Sequence, residues 1–214
     1  YIDKMIVVFP FEKDWYYTRG VDVEYFGHPV VDTSRQYEYL KQDYDGPVNI
    51  ALCPGSREQE IKRHMPILRQ FIKQCPQGRN KKINFILVRA QGLKKDILTE
   101  YLKDLNVTIT DESILKIFQK AHFGIVASGT ATLESAITTR PLIVVYKMSW
   151  VSWIITKSFV KIPFACIVNI LAEKKIIPEL LQNDFTVKNL QKHLDGFLEE
   201  TAQNNYEYNI NNII

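Results

Sequence analysis

Residues 48–60 read Val-Asn-Ile-Ala-Leu-Cys-Pro-Gly-Ser-Arg-Glu-Gln-Glu. Val48 to Leu52 is apolar and partly β-branched, the character of a buried strand. Ile61, Met65, Leu68 and Ile72 then recur at helical spacing. Between strand and helix, Pro54, Gly55, Ser56 and Arg57 form a tight turn. Such a turn sets backbone N–H groups at a helix N-terminus with an arginine beside them, and both favour a phosphate. An ordinary βα loop with an exposed arginine reads equally well from this turn alone.

A second strand-turn-helix tips the balance toward a ligand. Phe123 to Ala127 is again strand-like and runs into Ser128-Gly129-Thr130-Ala131-Thr132-Leu133-Glu134. Small residues at the turn let a ligand approach the backbone, and the helix that follows turns its positive dipole end toward it. Glu134 falls one turn into that helix, where a carboxylate can accept hydrogen bonds from the two hydroxyls of a ribose. It reads equally as a capping acid partnered with a serine or threonine three or four residues earlier.

Outward from these turns the chain alternates strand and helix. Strands are expected at 5–9, 23–26, 48–52, 83–88, 107–110, 124–127 and 142–146. Helices are expected at 12–18, 32–45, 94–105, 113–120, 130–139 and 186–203, besides the one after Arg57, with a frayed tail from 204. Gly27-His28-Pro29 reads as a turn into a linker, since proline disfavours helix at the residue before it. The alternation implies an α/β fold with a Rossmann-like, doubly wound parallel sheet and right-handed crossovers. Ligands of such sheets sit beyond the carboxyl ends of the strands, near the switch in strand order. Both turns lie at such ends.

Bulk composition fits a globular chain. Of 214 residues, 46% are hydrophobic and 24% charged, with a formal net charge of +3. That charge is too small to argue for nucleic acid. Cys53, Cys75 and Cys166 form no CxxC pair, and His28, His64, His122 and His193 lack ligand spacing. Neither a disulfide framework nor a zinc site is indicated, and a reducing compartment fits. The most apolar stretch, WVSWIITKSFV at 150–160, is far shorter than the roughly 20 residues of a membrane span. Its tryptophans near Lys147, Lys157 and Lys161 suit either a helix lying at a bilayer surface or packing against another domain.

Five blocks occur in a defined order: IVVFPFEKDWY from Ile6, YFGHPVVD from Tyr25, LCPGSREQEIKRHMPIL from Leu52, IVASGTATLESAITTRPLIVVYKM from Ile125 and VNILAEKKIIPELLQ from Val168. Together they resemble the lipid-A-disaccharide synthases of Gram-negative bacteria, which are glycosyltransferases of the GT-B type. The resemblance runs from about Met5 to Phe185. It implies two Rossmann-like domains facing across a cleft, the C-terminal one holding most of the nucleotide-sugar. It implies a hexosyltransferase that moves 2,3-diacylglucosamine, with inversion, from UDP-2,3-diacylglucosamine to 2,3-diacylglucosamine 1-phosphate (lipid X). The products are a β-1,6-linked disaccharide and UDP. No bound metal or other cofactor is implied.

The same resemblance assigns roles by residue. Arg57 matches the arginine of the PGSR turn and is expected to stabilise charge growing on the UDP leaving group. Gly55 and Ser56 would supply backbone and hydroxyl donors. Ser128, Gly129, Thr130 and Thr132 would line the phosphates and ribose, and Glu134 would hold the ribose hydroxyls. Asn169 matches an asparagine expected to touch donor or acceptor. Here Val168 replaces the proline before it, and Leu171-Ala172-Glu173 replaces the family's LAG. Gln182 ends the ELLQ segment as a site residue or a helix-end polar group. His28 is a cross-cleft contact or a hinge. Thr110, Asp111, Glu112 and Ser113 follow the strand after which GT-B enzymes usually seat uracil.

Tyr1 is not an initiator methionine, and the expected glycine-rich start and acidic base of the family are not among these residues. The implied organisation is a remnant of the acceptor-side domain with linker (1–31), a UDP-sugar donor domain (32–185) and a C-terminal helix and tail (186–214). A catalytic base outside the chain and an inactive fragment follow. The implied setting is cytoplasmic, peripheral on the cytoplasmic face of the inner membrane, and the resemblance allows a homodimer. The alternatives are another GT-B enzyme using UDP-GlcNAc, such as a peptidoglycan transferase or a UDP-sugar epimerase, or a nucleotide-binding module without catalysis.

Overall fold

A computed structural model describes residues 3–37, 46–75, 82–150, 152–153 and 163–199. The chain divides into two compact units, residues 1–38 and 39–214.

The first unit is a βαβ fragment followed by a short helix. Strands β1 (Ile6–Val7) and β2 (Glu24–Tyr25) pair in parallel. Helix α1 (Pro10–Tyr17) connects them, with proline in its first turn and Glu12 accepting from the N–H groups of Val8 and Phe9. Helix α1 buries none of its residues, and Trp15 and Tyr17 are exposed. Gly27-His28-Pro29, expected from sequence to turn the chain into a linker, leads into a short helix. His28 Nδ1 accepts the Val30 N–H at 3.1 Å and caps α2 (Pro29–Ser34), with Pro29 as its first residue. Proline disfavours helix before it but suits the first helical position, so the expected boundary at residue 31 falls inside a helix. Of the expected 32–45 helix, residues 32–34 belong to α2, which ends at Ser34, residues 35–37 are not helical, and residues 38–45 lie outside the described residues.

The second unit is a six-stranded sheet, every neighbouring pair parallel, in the order β5-β4-β3-β6-β7-β8. Its strands are β3 (Val48–Cys53), β4 (Ile83–Val88), β5 (Val107–Thr110), β6 (Phe123–Ala127), β7 (Leu142–Tyr146) and β8 (Glu179–Leu181). The helices are α3 (Glu58–Gln74), α4 (Lys95–Leu102), α5 (Ile114–Phe118), α6 (Thr130–Ala136), α7 (Ile167–Leu171) and α8 (Val187–Leu198). The order runs outward from β3 to β5 and then returns to β6 beside β3, so the switch in strand order lies between β3 and β6. The α/β, Rossmann-like parallel sheet expected from the sequence is the fold.

The sheet strands read as apolar runs because both faces are covered. Ile61, Met65, Leu68 and Phe71 of α3 are fully buried against them, and Leu190, Leu194 and Phe197 of α8 close the same core. Phe197 stacks on Phe123 with ring centroids 4.9 Å apart. The C-terminal helix thus belongs to the sheet's core. Strand β8 and helix α7 are additions to the expected elements. Strand β8 is three residues long and begins with a glutamate, too short to show a period.

Of the expected helix from Trp150 to Val160, residues 151 and 154–160 lie outside the described residues. Trp150 is exposed and Trp153 partly buried. Residues 200–214, with the end of the C-terminal helix and the tail, also lie outside. Among the described residues, no helix is long and apolar enough to cross a membrane.

Candidate functional site

The carboxyl ends of β3, β4, β5 and β6 open onto one cleft of about 560 Å³. Gly55, Ser56 and Arg57 border it from the turn after β3, and Ser128, Gly129 and Thr130 from the turn after β6. Asp111, Glu112 and Ser113 border it after β5. Two turns far apart in sequence meet here because β3 and β6 are hydrogen-bonded neighbours, with Cys53 paired to Val126.

The turn after β3 is organised by a residue the sequence reading passed over. Glu60, at the third position of α3, is buried. Its Oε2 accepts the N–H groups of Ser56 (3.0 Å) and Arg57 (3.3 Å), and its Oε1 accepts from Arg57 Nη1 at 3.1 Å. The backbone donors expected to await a phosphate are therefore held by a carboxylate. Gly55 has φ +122°, and a Cβ there would lie 2.4 Å from Glu60 Oε2. The capping-box spacing of an acid three residues beyond the N-cap was the available signal.

His64 supports the same turn from beneath. It is fully buried; Nδ1 meets Pro54 O at 2.7 Å and Nε2 meets Lys147 N at 2.9 Å. A carbonyl on one nitrogen and an N–H on the other fix the neutral tautomer, with Nδ1–H donating and Nε2 accepting. Burial lowers its pKa, against the opposing effect of its backbone bonds. Its position on the apolar face of α3 fits a core histidine.

The turn after β6 is open. Gly129, φ +152°, is the N-cap of α6, and no side chain caps that helix. The third helical position is Thr132, so Glu134 stands beyond the place of a capping acid. Glu134 borders the cleft, and burial raises its pKa. Its charge in turn helps burial push the Cys53 thiol up to about 12, so that thiol stays protonated at neutral pH. Ser128 borders the cleft while its hydroxyl donates to Ala165 O at 2.7 Å. Thr132 is fully buried beneath the cleft, its hydroxyl turned toward Ala127 O.

A second arginine joins the cleft without having been expected. Arg89 follows β4, and its Nε donates to Asp111 Oδ1 at 2.7 Å, tying the ends of β4 and β5. That contact, more than any other, holds the Asp111 carboxyl below its ordinary range. The first polar residue after an apolar strand, the logic that singles out Ser128, would have found it. Thr110 Oγ1 accepts the Glu112 N–H at 3.2 Å and shapes the same loop.

Four expected site residues of the second unit, Thr110, Thr132, Asn169 and Gln182, do not border the cleft. Asn169 is fully buried: Nδ2 donates to Ile177 O and Glu179 Oε1, both at 2.8 Å, and Oδ1 accepts from the N–H groups of Ile176 and Ile177. Every hydrogen-bonding position of the amide is taken. Gln182 follows β8 at φ +50°, and its Nε2 is buried without a hydrogen-bond partner among the described residues. His28 lies in the first unit as the cap of α2. Among the described residues no group of three or more His, Cys, Asp or Glu could hold a metal ion.

Comparison with known proteins agrees with this fold. The sheet resembles that of TarM (TM-score 0.55, 12% identity, 100% of this chain and 40% of that one) and of CalG4, the calicheamicin glycosyltransferase (TM-score 0.51, 12% identity, 95% and 54%). Both likenesses are of fold alone. Lipid-A-disaccharide synthase 1 of Legionella pneumophila (strain Paris) is 36% identical over 211 residues, covering 94% of this chain and 54% of its own length. The synthase of Anaeromyxobacter dehalogenans (strain 2CP-C) is 31% identical over 209 residues, with the same coverage. The chain thus spans about half the length of the curated relatives it matches. The lipid-A-disaccharide synthetase family profile matches residues 1–212. This chain is a member of the lipid-A-disaccharide synthetase family.

Proposed function

We propose that the chain is the donor-binding half of a lipid-A-disaccharide synthase. The observation that carries this reading is the convergence of Arg57, Ser128, Gly129, Thr130 and Glu134 on one cleft at the switch in strand order. The donor is UDP-2,3-diacylglucosamine and the acceptor 2,3-diacylglucosamine 1-phosphate. Uracil lies against the loop at 110–113, Glu134 accepts from the ribose hydroxyls, and the diphosphate lies between Arg57 and the turn at Ser128–Thr130. As the glycosidic bond to UDP breaks, negative charge grows on the leaving diphosphate, and the Arg57 guanidinium stabilises it there. The general base and much of the acceptor site belong to the part of the relatives that this chain does not span. The 214 residues alone therefore bind donor without turnover. Asn169 and Gln182 serve the donor site from behind it.

The first unit, with Phe11, Trp15 and Tyr17 exposed, suits an acceptor-side domain whose remaining elements would cover those side chains. Lipid substrates and the exposed Trp150 support peripheral contact with the cytoplasmic face of the inner membrane. Binding to anionic liposomes at low salt tests that contact, and no binding removes it for these residues.

Calorimetric titration with UDP, wild type against Arg57→Ala, tests the donor site. The variant is expected to bind about tenfold more weakly or worse, with an unchanged circular dichroism spectrum. A folded wild type that does not bind UDP would remove the reading. Turnover with both acylated substrates by an enzyme spanning the relatives' full length separates this function from enzymes that use UDP-GlcNAc.

A further inference from the structure

We propose that Glu60 is a positioning residue of the donor site: its buried carboxylate caps the turn after β3 and holds the Arg57 guanidinium toward the cleft as the anion-binding group. The inference rests on the UDP-site reading above and adds a residue and a division of labour to it.

The two side chains are unequal partners. The Glu60 side chain is 10% exposed and that of Arg57 77% exposed, with Nη1 and Oε1 3.1 Å apart. An exposed pair of two mobile chains is held loosely, because both lose side-chain freedom for little Coulomb gain. Here one partner is already fixed, because Oε2 is bound by two backbone N–H groups. Only the arginine remains to be ordered, and one of its five N–H donors orders it. The Arg57 side chain is otherwise largely exposed and borders the cleft.

The same contacts reassign the turn's chemistry. With the Ser56 and Arg57 N–H groups on Glu60, the backbone here offers a phosphate less than the bare turn would. Anion binding on this side falls to the guanidinium. Gly55 is then required by Glu60 rather than by a ligand, since a Cβ would meet Oε2 at 2.4 Å.

A helix cap without a role in binding would make the same backbone bonds, and Glu60→Gln separates the two. Glutamine keeps a capping box, but its amide nitrogen cannot accept from the guanidinium. The chain and its Glu60→Gln, Arg57→Ala and doubly substituted variants are titrated with UDP and with uridine, and folding is followed by thermal melting. Glu60→Gln is expected to fold, to bind UDP about fivefold to tenfold more weakly through lost preorganisation, and to bind uridine as the wild type does. The double variant should bind UDP no more weakly than Arg57→Ala. Unchanged UDP affinity in Glu60→Gln beside a weakened Arg57→Ala overturns the proposal and leaves the donor site standing. So does an equal loss for uridine, or losses that add in the double variant. A folded wild type that ignores UDP, or an Arg57→Ala variant that binds it normally, fails the donor-site reading and this inference with it. Should Glu60→Gln fail to fold, the Arg57 Nη–H resonances of the wild type carry the test, because Nη1 makes the contact with Glu60. Exchange as fast as that of a free arginine side chain would overturn the proposal.

Discussion

The amide of Asn169 donates to Oε1 of Glu179 at 2.8 Å, and neither side chain reaches the cleft. Glu179 in turn accepts the N–H groups of Ala165 and Cys166, and Ala165 O receives the Ser128 hydroxyl. A chain of hydrogen bonds, buried at Asn169 and exposed at Ser128, thus runs from α7 and β8 to the turn after β6. That chain links Asn169 to the turn at Ser128. Asn169→Ala removes all four of its bonds and leaves Glu179 short of a donor. We expect a loss of about 3 kcal/mol of stability or more, since unsatisfied buried groups cost about 1–3 kcal/mol each. Urea unfolding measures it; an unchanged midpoint would show that the network carries no weight.

The two cleft glycines should differ in cost. Gly55→Ala meets both a positive φ and a Cβ contact of 2.4 Å to Glu60, whereas Gly129→Ala meets only the backbone penalty, with nothing within 4 Å. Gly55→Ala is expected to cost about 2 kcal/mol or more, and Gly129→Ala about 1 kcal/mol. Denaturant unfolding of both variants checks the order.

Stability should fall on mild acidification. The folded pKa of His64 lies below the ordinary histidine value of 6.5, chiefly through burial. Between the lowered folded value and 6.5 the unfolded chain binds more protons, so stability is full above about 6.5 and declines as pH falls beneath it. His193 shifts in the same direction, again chiefly through burial, and shares the slope. Unfolding midpoints at about pH 7.5 and 5.5 should show the loss. His64→Gln should be less stable at the higher pH and lose less on acidification. A wild type with no slope in that window would contradict the neutral, buried ring.

Glu134 offers a direct chemical check on the ribose reading. Glu134→Ala should weaken UDP binding by about tenfold, the scale of hydrogen bonds to a charged acceptor. It should leave 2′,3′-dideoxy-UDP unaffected, because that ligand has no hydroxyls to present. Equal losses on both ligands would move Glu134 out of the ribose site.

Local pattern determined much of this protein. The strand at 48–52, the turn at Arg57 and the helix behind it are written in side-chain periodicity, as are the second turn at Ser128 and the parallel α/β class. Five ordered blocks carried the family. Tertiary structure alone decided which of the named residues meet. Arg57, Ser128 and Glu134 share a cleft because β3 and β6 pair across the switch in strand order. Asn169 does not border it, because α7 and the short β8 fold that amide into the core. Arg89 and Glu60 entered the site for the same reason: hydrogen bonds to Asp111 and to the Arg57 turn fix them, and a side chain's partners depend on the approach of segments that periodicity does not encode. Periodicity records which face of an element is buried; what it is buried against is settled by the packing of the whole sheet.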